Sequence, residues 1–553
     1  MSNSSSTAPR LFSTSLRWIL FAALIAPLLY YWIYAIWINP SANYYTNDAE
    51  FPHFMNSLAP FKGGRYGYID HPGTPVQILG TVLLGFMYPF ARNAPGGFVF
   101  HVLEEPGRFL DVAHAVLMLL YLGTTLFFFW MARSSNGLWR DILYAGGLAV
   151  LYYAIHPDSL SASTVWNHNS FNFPFGATLL LCLYGALTRD QARKSIPLLV
   201  LVGLGVGAGI MTATTIYMAG WVIAVVTAVF MYYLLQKNSW IQTLFATALT
   251  GLSAIGGFFL SVIPIMDKMS HFRNWIISLL THESNYLDVP DDQPRLERLA
   301  SNFFEFQRIL PTLFVFFILL VIVTVVLFLV FRRRLADHPG YWAVTIGLAA
   351  QSAAILIMFL DRPLQEAYFL SIAAILPVWT LALYQLLQSH RWFADLAGLG
   401  LVVFAVVGMT LTVVKSVDKK QSEVNMLRSS QEVISSAIQR QVEETGRSPD
   451  EIIVMWMYGS YSPCWALRLG DSKAFDIFTK EIEQICPNQY LLNNGLRVSK
   501  FGNNFRIENE PWDIVFGCKT NLRHLRELQL TLHVEEHPEL QWMCGVPVVI
   551  THE

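Results

Sequence analysis

Charge is what this chain has least of. Asp, Glu, Lys and Arg make up 14% of its 553 residues, against roughly a quarter in ordinary soluble domains, while hydrophobic residues reach 54%. That deficit excludes a water-solvated chain of this length and leaves a polytopic α-helical membrane protein. Neither sign of charge dominates. A formal net charge of -2 argues against a nucleic-acid partner, which calls for a dominant basic surface. Internal repeats and long low-complexity tracts are absent, and no Gly-rich phosphate loop follows a strand-like run, so a nucleotide site is not expected. Cysteine is scarce as well. The chain has five, none in the paired CxxC spacing of a structural zinc site. Cys182 falls in an apolar run, and the other four, Cys464, Cys486, Cys518 and Cys544, come late. An even number in one region points to two disulfides and an oxidising compartment.

Long hydrophobic runs are what the chain has in abundance. A tail carrying Arg10 and Arg17 precedes a run from Trp18 to Ile38 that is too long for a signal-peptide core and lacks a small-residue cleavage pattern. It is expected to be a retained first span, with its basic tail in the cytoplasm. The segment Thr74 to Phe90 is short and broken by Pro75, Gly80, Gly85 and Pro89. A crossing needs about 20 residues, so this segment is expected to lie in the interface. Ten further spans are expected: Arg108 to Met131, Asp141 to Tyr153, Phe171 to Leu187, Ile196 to Met211, Ile216 to Leu235, Trp240 to Met266, Pro311 to Phe331, Tyr341 to Leu360, Tyr368 to Leu387 and Phe393 to Val414. Arg133, Arg140, Arg189, Arg193, Lys194, Lys237, Arg332 to Arg334 and Arg391 fall on alternate ends, where positive-inside topology puts the cytoplasm. With about 11 crossings, the C-terminal region is expected outside.

Residues 415–553 change character. A polar helical stretch, Gln421 to Thr445, leads into strand-like runs at Ile452–Trp456, Trp512–Phe516 and Pro547–Ile550, with helical patterns at Ala474–Ile485 and Asn521–Leu528. Alternating strands and helices predict a small extracytoplasmic α/β domain behind a membrane domain of residues 1–414. Polar groups meanwhile gather on one side of the membrane. The first outer loop carries Asp48, Glu50, Arg65, Tyr68, Asp70 and His71, the next Asp158 and Asn169, the long loop before Pro311 carries His282, and the last Arg362 and Tyr368. Ionisable groups held at a membrane are costly and therefore functional candidates. Carboxylates that accept a proton, beside Arg, His and Tyr that hold an anion, suit moving a group from a phosphorylated lipid to a hydroxyl or amine.

In order, these motifs run as a first span, Asn47-Asp48-Ala49-Glu50-Phe51, an aromatic-rich loop, Ile69-Asp70-His71-Pro72, an interfacial helix, and a span opening at Arg108. This order resembles the GT-C superfamily of membrane glycosyltransferases, in particular the protein O-mannosyltransferases and the aminoarabinose transferases of lipid A. Arg362 to Pro377, with Tyr368, is similar to a late Arg…Tyr…Pro span of those enzymes. The likeness covers the layout of roughly 410 residues, with close motif similarity confined to Tyr44 through Arg108. Two positions depart from it: Asn47 stands in the first acidic pair and Gly73 in the Pro-Pro pair.

The resemblance implies a sugar donor linked to polyprenyl phosphate, membrane lipids as surroundings, an extracytoplasmic acceptor, and transfer with inversion in a multi-pass protein of the bacterial inner membrane. It implies Asp48 as base, with Glu50 and Asp70 as carboxylate neighbours. His71, Arg362 and Tyr368, on the motifs that match, and Arg65, Tyr68, His282, Asp158 and Asn169, among the polar groups of the same outer face, are expected to bind the donor or substrate. No dedicated metal motif is present, and no cofactor is expected. A transporter of lipid-linked saccharides would place charges at the midplane or carry inverted repeats, and a non-catalytic assembly or sensor protein leaves the Asp48 motif without a purpose.

Overall fold

The computed structural model describes residues 8–38, 50–68, 73–132, 139–189, 195–281, 294–332, 335–361, 364, 366–388, 391–457, 462–493, 497–500, 503–507, 511–519, 532–540 and 546–552. Among the described residues, nine helices are long and apolar enough to cross a membrane, and three shorter apolar helices, Leu143–Ile155, Leu198–Thr214 and Ala219–Leu235, accompany them. One of the nine is Thr74–Ala91, a continuous 18-residue helix. The other eight and the three short ones coincide with the eleven expected spans. The chain is a multi-pass α-helical membrane protein.

Small residues let some of these helices touch backbone to backbone. Helix Leu198–Thr214 lies so close to helix Trp240–Val262 that a Cβ on Gly209 would stand 2.0 Å from the Ala254 carbonyl oxygen. In lipid, where water drives no association between apolar helices, such close approach is what holds a pair together.

The last long helix, Arg391–Thr445, runs 55 residues without a break, about 82 Å at 1.5 Å per residue. Only part of that length can lie in a bilayer. Beyond it comes a seven-stranded sheet built from β1 (Val454–Met457), β2 (Gln489–Asn493), β3 (Arg497–Lys500), β4 (Asn503–Arg506), β5 (Ile514–Cys518), β6 (Leu532–Glu536) and β7 (Pro547–His552), in the order β4-β3-β2-β1-β5-β7-β6. The central β1 runs parallel to both β2 and β5. Parallel neighbours need a crossover, and helices Pro463–Lys473 and Thr479–Ile485 supply one between β1 and β2. Period-two alternation splits the faces. Val454, Trp456, Leu491, Ile514, Phe516 and Val549 join the continuous core of the bundle, whereas Met455, Met457, Leu492, Val515, Val548 and Ile550 form a second core on the other face.

The expected helix Ala474–Ile485 is shorter than its pattern. Residues 474–478 form a corner in which Phe475 and Asp476 take positive φ, 60° and 57°. The cause is Asp471, whose carboxylate accepts the Phe478 N–H at 2.8 Å and the Thr479 hydroxyl at 3.0 Å and so starts a new helix there. Cys464 and Cys486 are joined in a disulfide. The Cys518 side chain and Cys544 lie outside the described residues, and Cys182 is a free thiol.

Candidate active site

Helix Glu50–Leu58 is nine residues long and buried at every one of them. One side meets helix Thr74–Ala91 and the other meets helix Pro463–Lys473 of the sheet domain, where a Cβ on Gly470 would stand 3.2 Å from the Phe51 carbonyl oxygen. Glu50 occupies its first turn, the end at which a helix favours a carboxylate. The side chain is 1% exposed. Its Oε1 accepts from His114 Nε2 and from the Trp166 backbone N–H, the latter at 2.7 Å. Its Oε2 is buried and has no hydrogen-bond partner among the described residues. A carboxylate oxygen left bare inside a protein is expensive.

Around Glu50 lie further charges that the sequence pattern does not single out. Lys420, on the long last helix, is 3% exposed, and its ammonium makes no hydrogen bond among the described residues. It stands in the field of Glu423, Glu50 and Asp111. Its neighbour Lys419 meets Asp158 at 3.3 Å. Burial works to raise the Asp158 carboxyl, but the ammonium of Lys419 outweighs it and holds the group below its usual value. His156 is neutral: Nδ1 accepts the Asp158 N–H at 3.1 Å, Nε2–H donates to the Glu366 carbonyl at 3.1 Å, and burial pushes its pKa down.

The other expected residues divide. Tyr68 is buried and held by its backbone, whose N–H donates to Asn56 Oδ1 at 2.9 Å while its carbonyl accepts from Gln77 Nε2 at 2.8 Å. Its ring meets His53 edge-on at 5.0 Å. Asn169 is buried with Oδ1 unpartnered among the described residues. Arg65 is exposed and pairs with Asp267 at 3.3 Å. Tyr368 is half-buried and stacked on Phe359. Asp48, Asp70, His71, His282 and Arg362 lie outside the described residues. Next to Arg362, Asp361 is gripped by Arg298 at 2.6 Å and Arg295 at 3.1 Å. Among the described residues no group of three or more His, Cys, Asp or Glu side chains could hold a metal ion.

Several of these partners escaped the sequence reading. His114 sits inside an apolar span, itself a signal of function. Lys419 and Lys420 fall at the start of a polar helix that reads as part of a separate domain. An apolar groove of about 690 Å³ opens between the spans, lined by Pro311, Phe316, Leu320, Leu383, Tyr384 and Phe404 among others. Phe404 and Lys420 share the last helix, about 24 Å apart along its axis.

No family model matches this chain. No curated protein matches it either. Among solved structures it is similar to ArnT from Cupriavidus metallidurans bound to undecaprenyl phosphate, at 13% identity and a TM-score of 0.47 over 96% of this chain and 98% of that one. It is also similar to the Archaeoglobus fulgidus oligosaccharyltransferase. The complex of that protein with Zn and sulfate matches at 13% identity and a TM-score of 0.39, with 84% and 61% covered. Its apo form matches at 12% and 0.41, with 85% and 64% covered. Likenesses this distant assign no activity.

Proposed function

We propose that this protein is an inverting membrane glycosyltransferase that moves a sugar from a polyprenyl-phosphate donor to an acceptor on the extracytoplasmic side. The observation that carries the reading is Glu50: a buried carboxylate, fixed by His114 and the Trp166 N–H, with its second oxygen bare, two residues after Asp48. An acceptor hydroxyl or amine donates to such an oxygen. In the reaction the acceptor atom bonds to the anomeric carbon and the bond from that carbon to the phosphate oxygen breaks. The electron pair leaves with the phosphate, and the acceptor proton passes to Asp48. Glu50 orients the acceptor, and Asp70 is a further carboxylate of the same loop.

Arg65, Tyr68, His71, Arg362, Tyr368, His282, Asp158 and Asn169 are proposed as groups that hold the donor or shape its site. The reading assigns the counter-charge to protein side chains and no metal. The groove between Pro311 and Phe404 suits an isoprenoid tail, and the bacterial inner membrane is the proposed location.

The test is incubation of the purified protein with a panel of polyprenyl-phosphate sugars, following loss of sugar from the lipid. Asp48→Asn keeps size and removes basicity, so turnover should fall about 10² to 10⁴-fold with donor binding retained. Near-normal turnover in that variant rejects Asp48 as base. Movement of intact lipid-linked saccharide across vesicles, with no sugar lost from any donor, favours a transporter instead.

A further inference from the structure

Lys420 has no structural account in the described fold. Its neighbours on either side are engaged outward: Lys419 reaches Asp158 at 3.3 Å, and Gln421 accepts from the Tyr34 hydroxyl at 2.6 Å. Successive helix residues step by about 100°, so Lys420 points between these two contacts, into the bundle. It cannot snorkel to water as surface lysines do, being 3% exposed. Glu423, one turn on, is placed for a pair at i,i+3, yet the ammonium bonds neither to it nor to any other described group. The electrostatic field on it comes from Glu423, Glu50 and Asp111, and Glu423 in turn feels Lys419 and Asp158. A bare ammonium and a bare carboxylate oxygen thus belong to one buried cluster without closing on each other. One molecule that donates to Glu50 and accepts from Lys420 would satisfy both groups.

We propose that Lys420 binds the phosphate of the polyprenyl-phosphate donor and takes up the charge that phosphate gains as the sugar leaves; this rests on the transferase reading above. The charges balance. The donor phosphodiester carries one negative charge and the departing monophosphate gains a second, while the base loses its charge to the acceptor proton. Lys420 offers three N–H donors, and bonds from an ammonium to phosphate are of the strong, charge-assisted kind. Burial works against its ionised form and the carboxylates around it work for that form, while the same carboxylates oppose a free, doubly charged anion. Affinity must therefore come largely from the apolar tail, and inorganic phosphate should bind poorly.

The test uses the full-length purified protein in detergent, a short-chain polyprenyl monophosphate as probe, and two readouts: probe affinity and thermal stability. Lys420→Met removes the charge and keeps the length. If the ammonium serves a ligand, the variant should bind the probe at least tenfold more weakly while folding as stably as the parent or more so, since an unpaired buried charge is a cost. Lys420→Arg should keep more affinity than Lys420→Met. If the parent binds no probe, the donor reading itself fails. If the parent and Lys420→Met bind alike, the donor reading stands and Lys420 is not its phosphate ligand. A Lys420→Met protein that loses stability in step with affinity makes the lysine structural and overturns the proposal. Competition by inorganic phosphate as strong as by the lipid probe overturns the lipid source.

Discussion

Helix Arg391–Thr445 is one rod in two solvents. In its first half Leu396, Leu399, Val403, Val407, Leu411 and Val414 are all more than half exposed, at steps of three and four, while Leu401, Ala405, Met409 and Val413 face inward. Both stripes are apolar, as they must be where the surroundings are lipid. In its second half the buried stripe contains Ser416, Lys420 and Ser430 beside Leu427 and Ala437. An exposed leucine in the first half therefore marks membrane, whereas a buried lysine in the second marks a site. The same backbone carries both because helix hydrogen bonds are internal and indifferent to what lies outside.

The largest expected effect is in the buried cluster that the second half closes. His114→Leu leaves Glu50 with the Trp166 N–H alone, and breaking a buried pair by removing one partner costs about 3–5 kcal/mol. Thermal unfolding in detergent checks it, and a variant as stable as the parent would mean that Glu50 and His114 are not coupled. Next comes the lipid-facing stripe. Val403→Lys would be nearly neutral on a surface facing water, within about 0.5 kcal/mol, but should cost about 2.5–3.5 kcal/mol at the centre of a membrane helix. Insertion efficiency measures this, and unchanged insertion would remove the membrane from that half of the rod.

The smallest effect sharpens the contrast within the sheet domain, where a buried charge has an ordinary structural role. Burial raises the Asp471 carboxyl from 3.8 to about 6, with bonds from the Phe478 N–H and the Thr479 hydroxyl working the other way. The folded chain then keeps a proton that the unfolded chain releases. The stability this group contributes is complete below about pH 4 and is lost as pH rises through about 6, on the order of 2–3 kcal/mol in all. Asp471→Asn should flatten the stability profile across that window. An unaltered slope between pH 4 and 6 would assign the titration to another group.

How far the sequence could be read depended on the range of the forces involved. The apolar helices were legible because lipid acts on every turn of a helix independently, so composition over about 20 residues suffices; Thr74–Ala91, expected to lie in the interface, is itself among the nine long enough to cross. The strands at Val454, Ile514 and Pro547 were legible for a similar reason, being short apolar runs that, together with the positions flanking them, are rich in β-branched and aromatic residues. The corner at Ala474–Phe478 was not, because Asp471 ends one helix and starts the next through side-chain bonds that a helical pattern does not record. Glu50 was visible as a candidate next to Asp48, but its partners were not. His114 comes from a membrane span, Trp166 from a later loop and Lys420 from the last helix.

The sequence by itself determined the solvent of each segment: which runs face lipid, where the charges collect, and that a sheet follows the last span. Only the tertiary structure decided which charge meets which. It left Glu50 with one oxygen bare and Lys420 buried within its electrostatic reach, without a bond among the described residues. Pairing of this kind is set by chain segments far apart in sequence, through electrostatic and hydrogen-bonding contacts whose strength depends on distances of a few ångströms and on burial. Neither quantity exists until the bundle has closed.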